Sequence, residues 1–227
     1  MTALSNMNPV KIVIVDDHPL FSKGLASLIA SHPGYEIAGE AKNSAEALKL
    51  FRERQPNLAI VDLNLGDENG MDLITGIRDR YPDMVILVLS MHDERYYSER
   101  VLRLGASGYI MKNEAGTKVL DAIKTVMSGK IYLSEAEQER LSEALAGEPG
   151  KNDKDRYASV QKLSDRQLEI FTLIGKGLGT VEIATKLDLS TKTIDTHKEH
   201  IKLKLHCNTS QELRQLAIEW AAYTPSA

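Results

Sequence analysis

The feature that most constrains this fold is an alternation, over residues 11–130, of short β-branched runs with stretches of helical periodicity. The runs predict strands at 11–15, 36–39, 57–61, 84–90 and 107–111. The intervening stretches predict helices at 20–31, 44–54, 70–81, 94–104 and 116–127. Because the runs are continuously apolar, they suit strands covered on both faces. The pattern therefore predicts an α/β fold with a doubly wound, five-stranded parallel sheet.

Beyond residue 130 the alternation ends. Residues 134–147 read as a helix that Ser134 caps and Gly147 stops, and the charged stretch 148–159, with Pro and Gly, has linker composition. From residue 163 the pattern is all helical. Since 227 residues suit one or two domains, we predict three regions: a sheet domain over 9–130, a partly helical linker over 131–160 and a small all-α domain over 161–222.

Four helices are predicted in the last region from their start signals: Ser164 with Gln167, Thr180, Ser190, and Thr209 with Glu212. A tight turn at 188–190 joins the second helix to the third, which is typical of a helix-turn-helix unit. At ~100° per residue, the third helix buries one apolar stripe: Ile194, Ile201 and Leu205. Its opposite face is mixed in sign and carries Lys192, Thr196, Glu199 and Leu203, flanked by Asp195, Lys202 and His200.

Polar side chains end four of the predicted strands. Asp16 and Asp17 follow the first strand, Asp62 the third, Ser90 the fourth and Lys112 the fifth. The carboxyl ends of parallel strands share one edge, where functional groups gather. Any one of these residues could be an ordinary turn former or cap, but together they predict a site. Because close carboxylates repel, a hard cation, Mg²⁺ or Mn²⁺, is expected among them.

A bound metal would let one carboxylate attack a phosphoryl donor, with Lys112 and Ser90 contacting phosphoryl oxygens. The segments IVIVDDHPLF, VDLNLGDENG, LVLS and GYIMK resemble, in order and spacing, the flavodoxin-like receiver domain of two-component response regulators. The resemblance implies that Asp62 accepts a phosphoryl group from a sensor histidine kinase. It also implies that Asp16, Asp17, Asp62 and the backbone carbonyl of Asn64 hold magnesium.

The same resemblance makes Ser90, Lys112 and Tyr109 residues that respond to the phosphoryl group, although Tyr109 could also be a plain tyrosine of the fifth strand. Proline is common in the family at the position of Gly66, so a more mobile loop is expected here. A dehalogenase-like phosphatase would need an aspartate where Asn64 stands, and there is no phosphate-binding GxxxxGK[ST] loop. We therefore predict a switch protein rather than an enzyme.

The block LSDRQLEIF to HIKLKL resembles the LuxR-type helix-turn-helix of NarL/FixJ response regulators, which implies binding to double-stranded DNA. Asp195 and Glu199 lie where that family usually contacts bases. The other expected DNA contacts are Lys192, Thr196, Lys198 and Lys202. His197 is interpreted as structural. The last helix resembles the family's dimer-forming helix, although its apolar residues could instead close the domain core: Leu213, Leu216, Ala217 and Trp220.

Charge and composition narrow the function further. Residues 161–227 carry a net charge of only +1 and the remaining residues −5, so one domain alone is expected to bind DNA weakly and activation to act through a homodimer. No run of ~18 apolar residues predicts a membrane span. The single cysteine, Cys207, fits a cytoplasmic protein. A regulator that acts through protein–protein contacts without sequence-specific DNA binding is the alternative.

Overall fold

The computed structural model describes residues 9–66, 68–92, 94–146 and 159–223. The chain divides into two compact units between Glu143 and Ala144. Within the described ranges, no helix is both long enough and apolar enough to cross a membrane.

A five-stranded parallel sheet forms the centre of the first unit, in the order β2-β1-β3-β6-β7. Its strands are β1 (Val10–Val15), β2 (Tyr35–Ala41), β3 (Leu58–Val61), β6 (Val85–Ser90) and β7 (Gly108–Met111). All four residues of β3 are fully buried, as expected for a central strand covered on both faces. The predicted doubly wound sheet is confirmed.

Five helices connect and cover these strands: α1 (Pro19–Ala30), α2 (Ser44–Arg54), α3 (Gly70–Arg80), α4 (Glu94–Arg103) and α5 (Ala115–Met127). The predicted helices agree with these bounds to within one residue at each end. One element was not predicted, a small antiparallel hairpin of β4 (Asn64–Leu65) and β5 (Glu68–Asn69) directly after β3. Two residues per strand are too few to show a periodicity, so the sequence pattern could not reveal it.

A sixth helix, α6 (Glu135–Ala146), begins where Ser134 was predicted to cap it, and the Ser134 hydroxyl accepts the Glu137 N–H at 3.2 Å. The predicted stop, Gly147, lies outside the described residues. Before this helix, the backbone of Tyr132 bonds to Ser107 and Tyr109, which extends the edge of the sheet at β7. Most of α6 belongs to the first compact unit, which ends at Glu143, although the sequence placed it in a linker.

The second unit contains four helices among residues 159–223: α7 (Asp165–Gly175), α8 (Thr180–Lys186), α9 (Thr191–Leu205) and α10 (Ser210–Tyr223). The capping predictions are confirmed at Ser164, Ser190 and Thr209. A small core joins the helices, in which Phe171 packs 5.4 Å from Trp220, centroid to centroid. The chain between α8 and α9 turns at Asp188, which has a φ of 50°. This is the predicted helix-turn-helix arrangement.

Candidate functional site

The predicted carboxylates and lysine meet at the carboxyl edge of the sheet. Asp16 follows β1, Asp62 follows β3, and each is only 3% exposed. Lys112 follows β7, and its Nζ lies 2.7 Å from Asp16 Oδ2 and 2.6 Å from Asp62 Oδ2. Since β1 and β3 are neighbours in the sheet, the topology itself places the two carboxylates side by side. One buried cation therefore bridges two buried anions.

Burial raises the pKa of Asp62 to about 6, against the attraction of Lys112 and its hydrogen bond, which lower it. Repulsion from Asp16 raises this pKa further, whereas the Asn64 N–H, 3.1 Å from Asp62 Oδ1, lowers it. Burial also lowers the pKa of Lys112, but the attraction of Asp62 and hydrogen bonds to both carboxylates outweigh it, so the net pKa is raised. The site sets one ammonium against two buried carboxyl groups, so the negative charge of the ionised carboxylates exceeds the positive charge of Lys112.

That excess suits a divalent cation. Asp16, Asp17, His18 and Asp62 each offer one ligand atom, and these atoms all lie within 4.8 Å of one another. The oxygen donors of the three aspartates match the preference of Mg²⁺ or Mn²⁺. His18, whose Nδ1 lies 2.7 Å from Asp17 Oδ1, was not predicted as a member, although its adjacency to Asp16 and Asp17 was visible. The carbonyl of Asn64 as a ligand stays a prediction.

Ser90 and Tyr109, the predicted responding residues, are both fully buried and share one partner, His92. Ser90 Oγ accepts the backbone N–H of His92 at 3.2 Å, and the Tyr109 hydroxyl donates to the backbone carbonyl of His92 at 2.8 Å. Burial raises the pKa of Tyr109 well above its ordinary value, so the phenol stays protonated as a donor. The His92 ring stacks on Tyr97 of α4, 4.7 Å between centroids. Neither His92 nor Tyr97 was predicted, because no local pattern marks either residue.

Gly66, where the family commonly has proline, adopts a φ of 67°. Proline is fixed near −65°, so it could not take this conformation, whereas glycine does so without steric cost. Gly66 lies between the two strands of the β4–β5 hairpin, and a Cβ there would stand 3.7 Å from Asp17 Oδ2. A proline could therefore not follow the backbone path that Gly66 takes beside the site.

Gly70 ends the same loop and lies against the backbone that follows β3. We expect Gly70→Ala to lower the free energy of unfolding by about 2–3 kcal/mol or more. A Cβ at this position would lie 2.1 Å from the Asp62 carbonyl oxygen and 2.7 Å from Leu63 Cα. Both are backbone atoms, so no rotamer change relieves the clash. Urea unfolding measures the loss. Gly116→Ala, at an α5 position with nothing within 4 Å of the added carbon, is the matched control and should change little. Equal effects of the two substitutions would contradict the argument.

In the second unit, α9 presents the predicted two faces. Ile194 and Ile201 are fully buried, and Leu205 is nearly so. The exposed face carries Lys192, Asp195, Thr196, Glu199, His200 and Leu203. Two of the predicted DNA-contacting lysines are held by neighbours: Lys202 Nζ pairs with Glu199 Oε1 at 2.8 Å, and Lys198 Nζ donates to the Thr180 hydroxyl at 2.6 Å.

Most of the remaining residues predicted for the second unit lie in its interior. Half-buried His197 has a buried Nδ1 with no hydrogen-bond partner among the described residues, and burial lowers its pKa, which fits a neutral structural role. On α10, Leu213, Ala217 and Trp220 face the core, and the backbone of Ala217 packs against Gly175. Of the four residues that could form a dimer contact, these three close the domain instead, and only Leu216 is half-exposed.

The two sites define a class of protein. A family model described as the response regulator receiver domain matches residues 12–124, and one described as bacterial regulatory proteins of the luxR family matches residues 161–217. The chain belongs to the response regulators that join a receiver domain to a LuxR-type DNA-binding domain, and it is a transcriptional regulator rather than an enzyme.

Particular relatives cover almost the whole chain. The oxygen regulatory protein NreC of Staphylococcus carnosus (strain TM300) is 35% identical over 211 residues, which are 92% of this chain and 97% of that protein. The NreC protein of Staphylococcus aureus (strain MRSA252) is 36% identical over 215 residues, with the same coverage, 92% and 97%. The structure of RcsB from Salmonella enterica serovar Typhimurium, bound to promoter rprA in the presence of phosphomimetic BeF3−, is similar with a TM-score of 0.59. It is 26% identical and covers 93% of this chain and 99% of that one.

Proposed function

We propose that Asp62 accepts a phosphoryl group from a sensor histidine kinase in a Mg²⁺-dependent reaction, and that this controls dimerisation and binding of double-stranded DNA by the helix-turn-helix domain. The observation that carries the proposal is the buried group of Asp62, Asp16 and Lys112, with Nζ within 2.7 Å of both carboxylates. The RcsB complex adds support, because that protein was bound to a promoter in the presence of a phosphomimetic. The protein would encounter both the kinase and the DNA in the cytoplasm.

The chemistry follows from the positions of these groups. An ionised oxygen of Asp62 attacks the phosphorus of a phosphohistidine, a new O–P bond forms as the P–N bond breaks, and the imidazole keeps the electron pair. Lys112, 2.6 Å from Asp62 Oδ2, is placed to neutralise a phosphoryl oxygen. Ser90 is the candidate hydrogen-bond donor to another. Asp16, Asp17 and Asp62 would hold Mg²⁺, which would supply further neutralisation of the phosphoryl oxygens.

The test first selects DNA fragments with protein that has been treated with Mg²⁺ and a small phosphoryl donor such as acetyl phosphate. The binding of these fragments is then titrated with and without the donor. We expect the donor to tighten binding by about 10-fold or more, within the range of ordinary allosteric coupling. The same treatment should convert the protein from monomer to dimer in sedimentation. Asp62→Asn should show neither change. Donor-dependent binding that survives in this variant would refute the role of Asp62.

Weak binding by a single domain is part of the proposal. A net charge of +1 over residues 161–227 leaves little non-specific attraction to phosphates. Lys198 and Lys202 are engaged within the domain, so contacting DNA would cost them those partners. Two domains on adjacent half-sites would double the contacts, which is why dimerisation is expected to control binding.

Glu199 is proposed to contribute specificity rather than affinity. Its side chain is 64% exposed on the polar face of α9. A carboxylate on this face repels phosphates but can accept a hydrogen bond from cytosine N4. We expect Glu199→Ala to bind DNA of any sequence as tightly as the wild type or more tightly, because the substitution also releases Lys202. The free-energy preference for the selected site over other sequences should fall by about 1–3 kcal/mol. Competition between selected and scrambled fragments measures this. Equal weakening on both fragments would contradict it, and Glu219→Ala on α10 is a control distant in sequence.

The carboxylates on the exposed face of α9 also favour a second candidate, a receiver-containing regulator that acts by protein–protein interaction. Asp195 and Glu199 are both exposed on the face that would meet DNA. If no fragment is enriched by the treated protein although Asp62 becomes phosphorylated, this second candidate is the better description.

A further inference from the structure

Buried polar groups join the helix α6 to α4. The Ser98 hydroxyl donates to Glu137 Oε1 at 2.5 Å, with Ser98 fully buried and the Glu137 side chain 1% exposed. Glu94, at the start of α4, accepts the backbone N–H of Ser134 at 3.0 Å. We call these four residues, Glu94, Ser98, Ser134 and Glu137, the α6 clasp.

Apolar burial contributes little to this attachment. Among the side chains of α6 that the structure describes, residues 135–142, Glu137 is the one that is buried. By contrast, α5 buries Val119, Ala122, Ile123 and Val126 against the sheet. Over these described side chains α6 places no fully buried apolar residue against the core, so this part of the helix depends on its hydrogen bonds and opens more easily than the elements around it.

Two carboxylates lie inside the clasp. Burial raises the pKa of Glu94, and the repulsion of Glu137 and Glu114 raises it further, against the hydrogen bonds from Ser134. Glu137 is compensated on its own helix by Arg140, whose Nε and Nη2 donate at 2.8 and 2.7 Å. Because both carboxylates need their donors while buried, a small shift of α4 that lengthens one hydrogen bond destabilises the whole attachment.

The clasp is connected to the phosphoacceptor edge by contiguous contacts. Ser90, at the end of the strand next to β3, and Tyr109 both hold the backbone of His92. The His92 ring stacks on Tyr97, the residue before Ser98 on α4. A rearrangement of Ser90 toward a phosphoryl group would therefore move the backbone of His92, and with it the start of α4.

We propose that the α6 clasp is a releasable attachment that is docked when Asp62 is unmodified and undocks when Asp62 is phosphorylated. This inference rests on the proposed function, since phosphorylation is its trigger. The division between the two units falls inside α6, between Glu143 and Ala144. Undocking therefore lengthens the chain segment that leads to the DNA-binding domain and lets that domain reach a partner domain on DNA.

Hydrogen exchange of the full-length protein tests the docking. With Mg²⁺ alone, amides of α6 should be protected, and addition of beryllofluoride should speed their exchange about 10-fold or more. Glu137→Gln and Ser98→Ala should show the fast exchange before beryllofluoride is added. The control is Arg103→Ala, which removes an exposed pair with Glu99 on the same helix α4 and should leave α6 unchanged. Ser98→Ala keeps the experiment decisive if Glu137→Gln folds poorly.

A second readout separates a regulatory clasp from a merely structural one. If beryllofluoride shifts the equilibrium of α6 toward the undocked state, then undocking must raise the affinity for beryllofluoride by the same factor. Glu137→Gln should therefore bind beryllofluoride with Mg²⁺ at least about 10-fold more tightly than the wild type, measured by fluorine NMR. Wild-type protein that binds beryllofluoride while α6 stays protected would overturn the clasp and leave the proposed function intact. Wild-type protein that does not bind it would overturn the proposed function and, with it, the trigger.

Discussion

Asp62→Asn is expected to raise the free energy of unfolding by about 3 kcal/mol at pH 7.5 in metal-free buffer, because a pKa difference of about two units corresponds to this energy. The pKa of Asp62 is about 6 in the folded protein and near its ordinary 3.8 when unfolded. The folded state therefore binds this proton more tightly. The destabilisation of the folded state by the ionised Asp62 carboxylate is absent below about pH 4, grows between pH 4 and 6, and is complete above pH 6.

Urea unfolding of both proteins in EDTA, at pH 4 and pH 7.5, measures this effect. The stabilisation should disappear at pH 4, and Asp83→Asn, at an exposed position, should show little at either pH. Millimolar Mg²⁺ should stabilise the wild type more than the variant, since the variant lacks one ligand. A variant that is less stable than the wild type at pH 7.5 without metal would contradict the charge argument.

Lys112→Met is expected to lower the free energy of unfolding by about 3–5 kcal/mol under the same metal-free conditions. Its ammonium contacts Asp16 and Asp62, both 3% exposed, so its removal leaves two buried carboxylates without a counter-charge. Mg²⁺ should restore part of the loss, because it supplies positive charge to the same oxygens.

The double variant Lys112→Met with Asp62→Asn should be more stable than Lys112→Met alone, since one uncompensated charge is gone. Lys118→Met removes an exposed pair with Glu114 and should cost less than about 1 kcal/mol. If the two lysine variants lose equal stability, Lys112 does not compensate the buried charges of Asp16 and Asp62.

The sequence predicts most of the sheet domain because its signals there are local and periodic. Continuous apolar runs mark the strands, and parallel topology then brings Asp16, Asp62 and Lys112 to one edge without any knowledge of their distances. The caps at Ser164, Ser190 and Thr209 were equally readable, because a cap is defined by residues three positions apart.

The missing parts depend on tertiary contacts. Glu137 belongs to a polar stretch with no buried periodicity, and its burial comes with contacts to Ser98 of α4 and to Arg140. His92 contacts Ser90 and Tyr109 through its backbone and Tyr97 through its ring, and neither kind of contact has a local signal in the sequence. On α9 the periodicity correctly separated the buried and exposed faces, but it could not show that Lys202 is paired with Glu199, since rotamers decide that contact.

The left-handed conformation of Gly66 has a consequence for comparative modelling and for consensus engineering. Introducing proline here to match the family would be expected to stabilise a loop by reducing the entropy of the unfolded chain, but only where the native φ is compatible. At this position the φ of 67° has the opposite sign to that of proline, so the substitution would strain the turn next to Asp17. A template that carries proline at this position cannot supply the path of this loop.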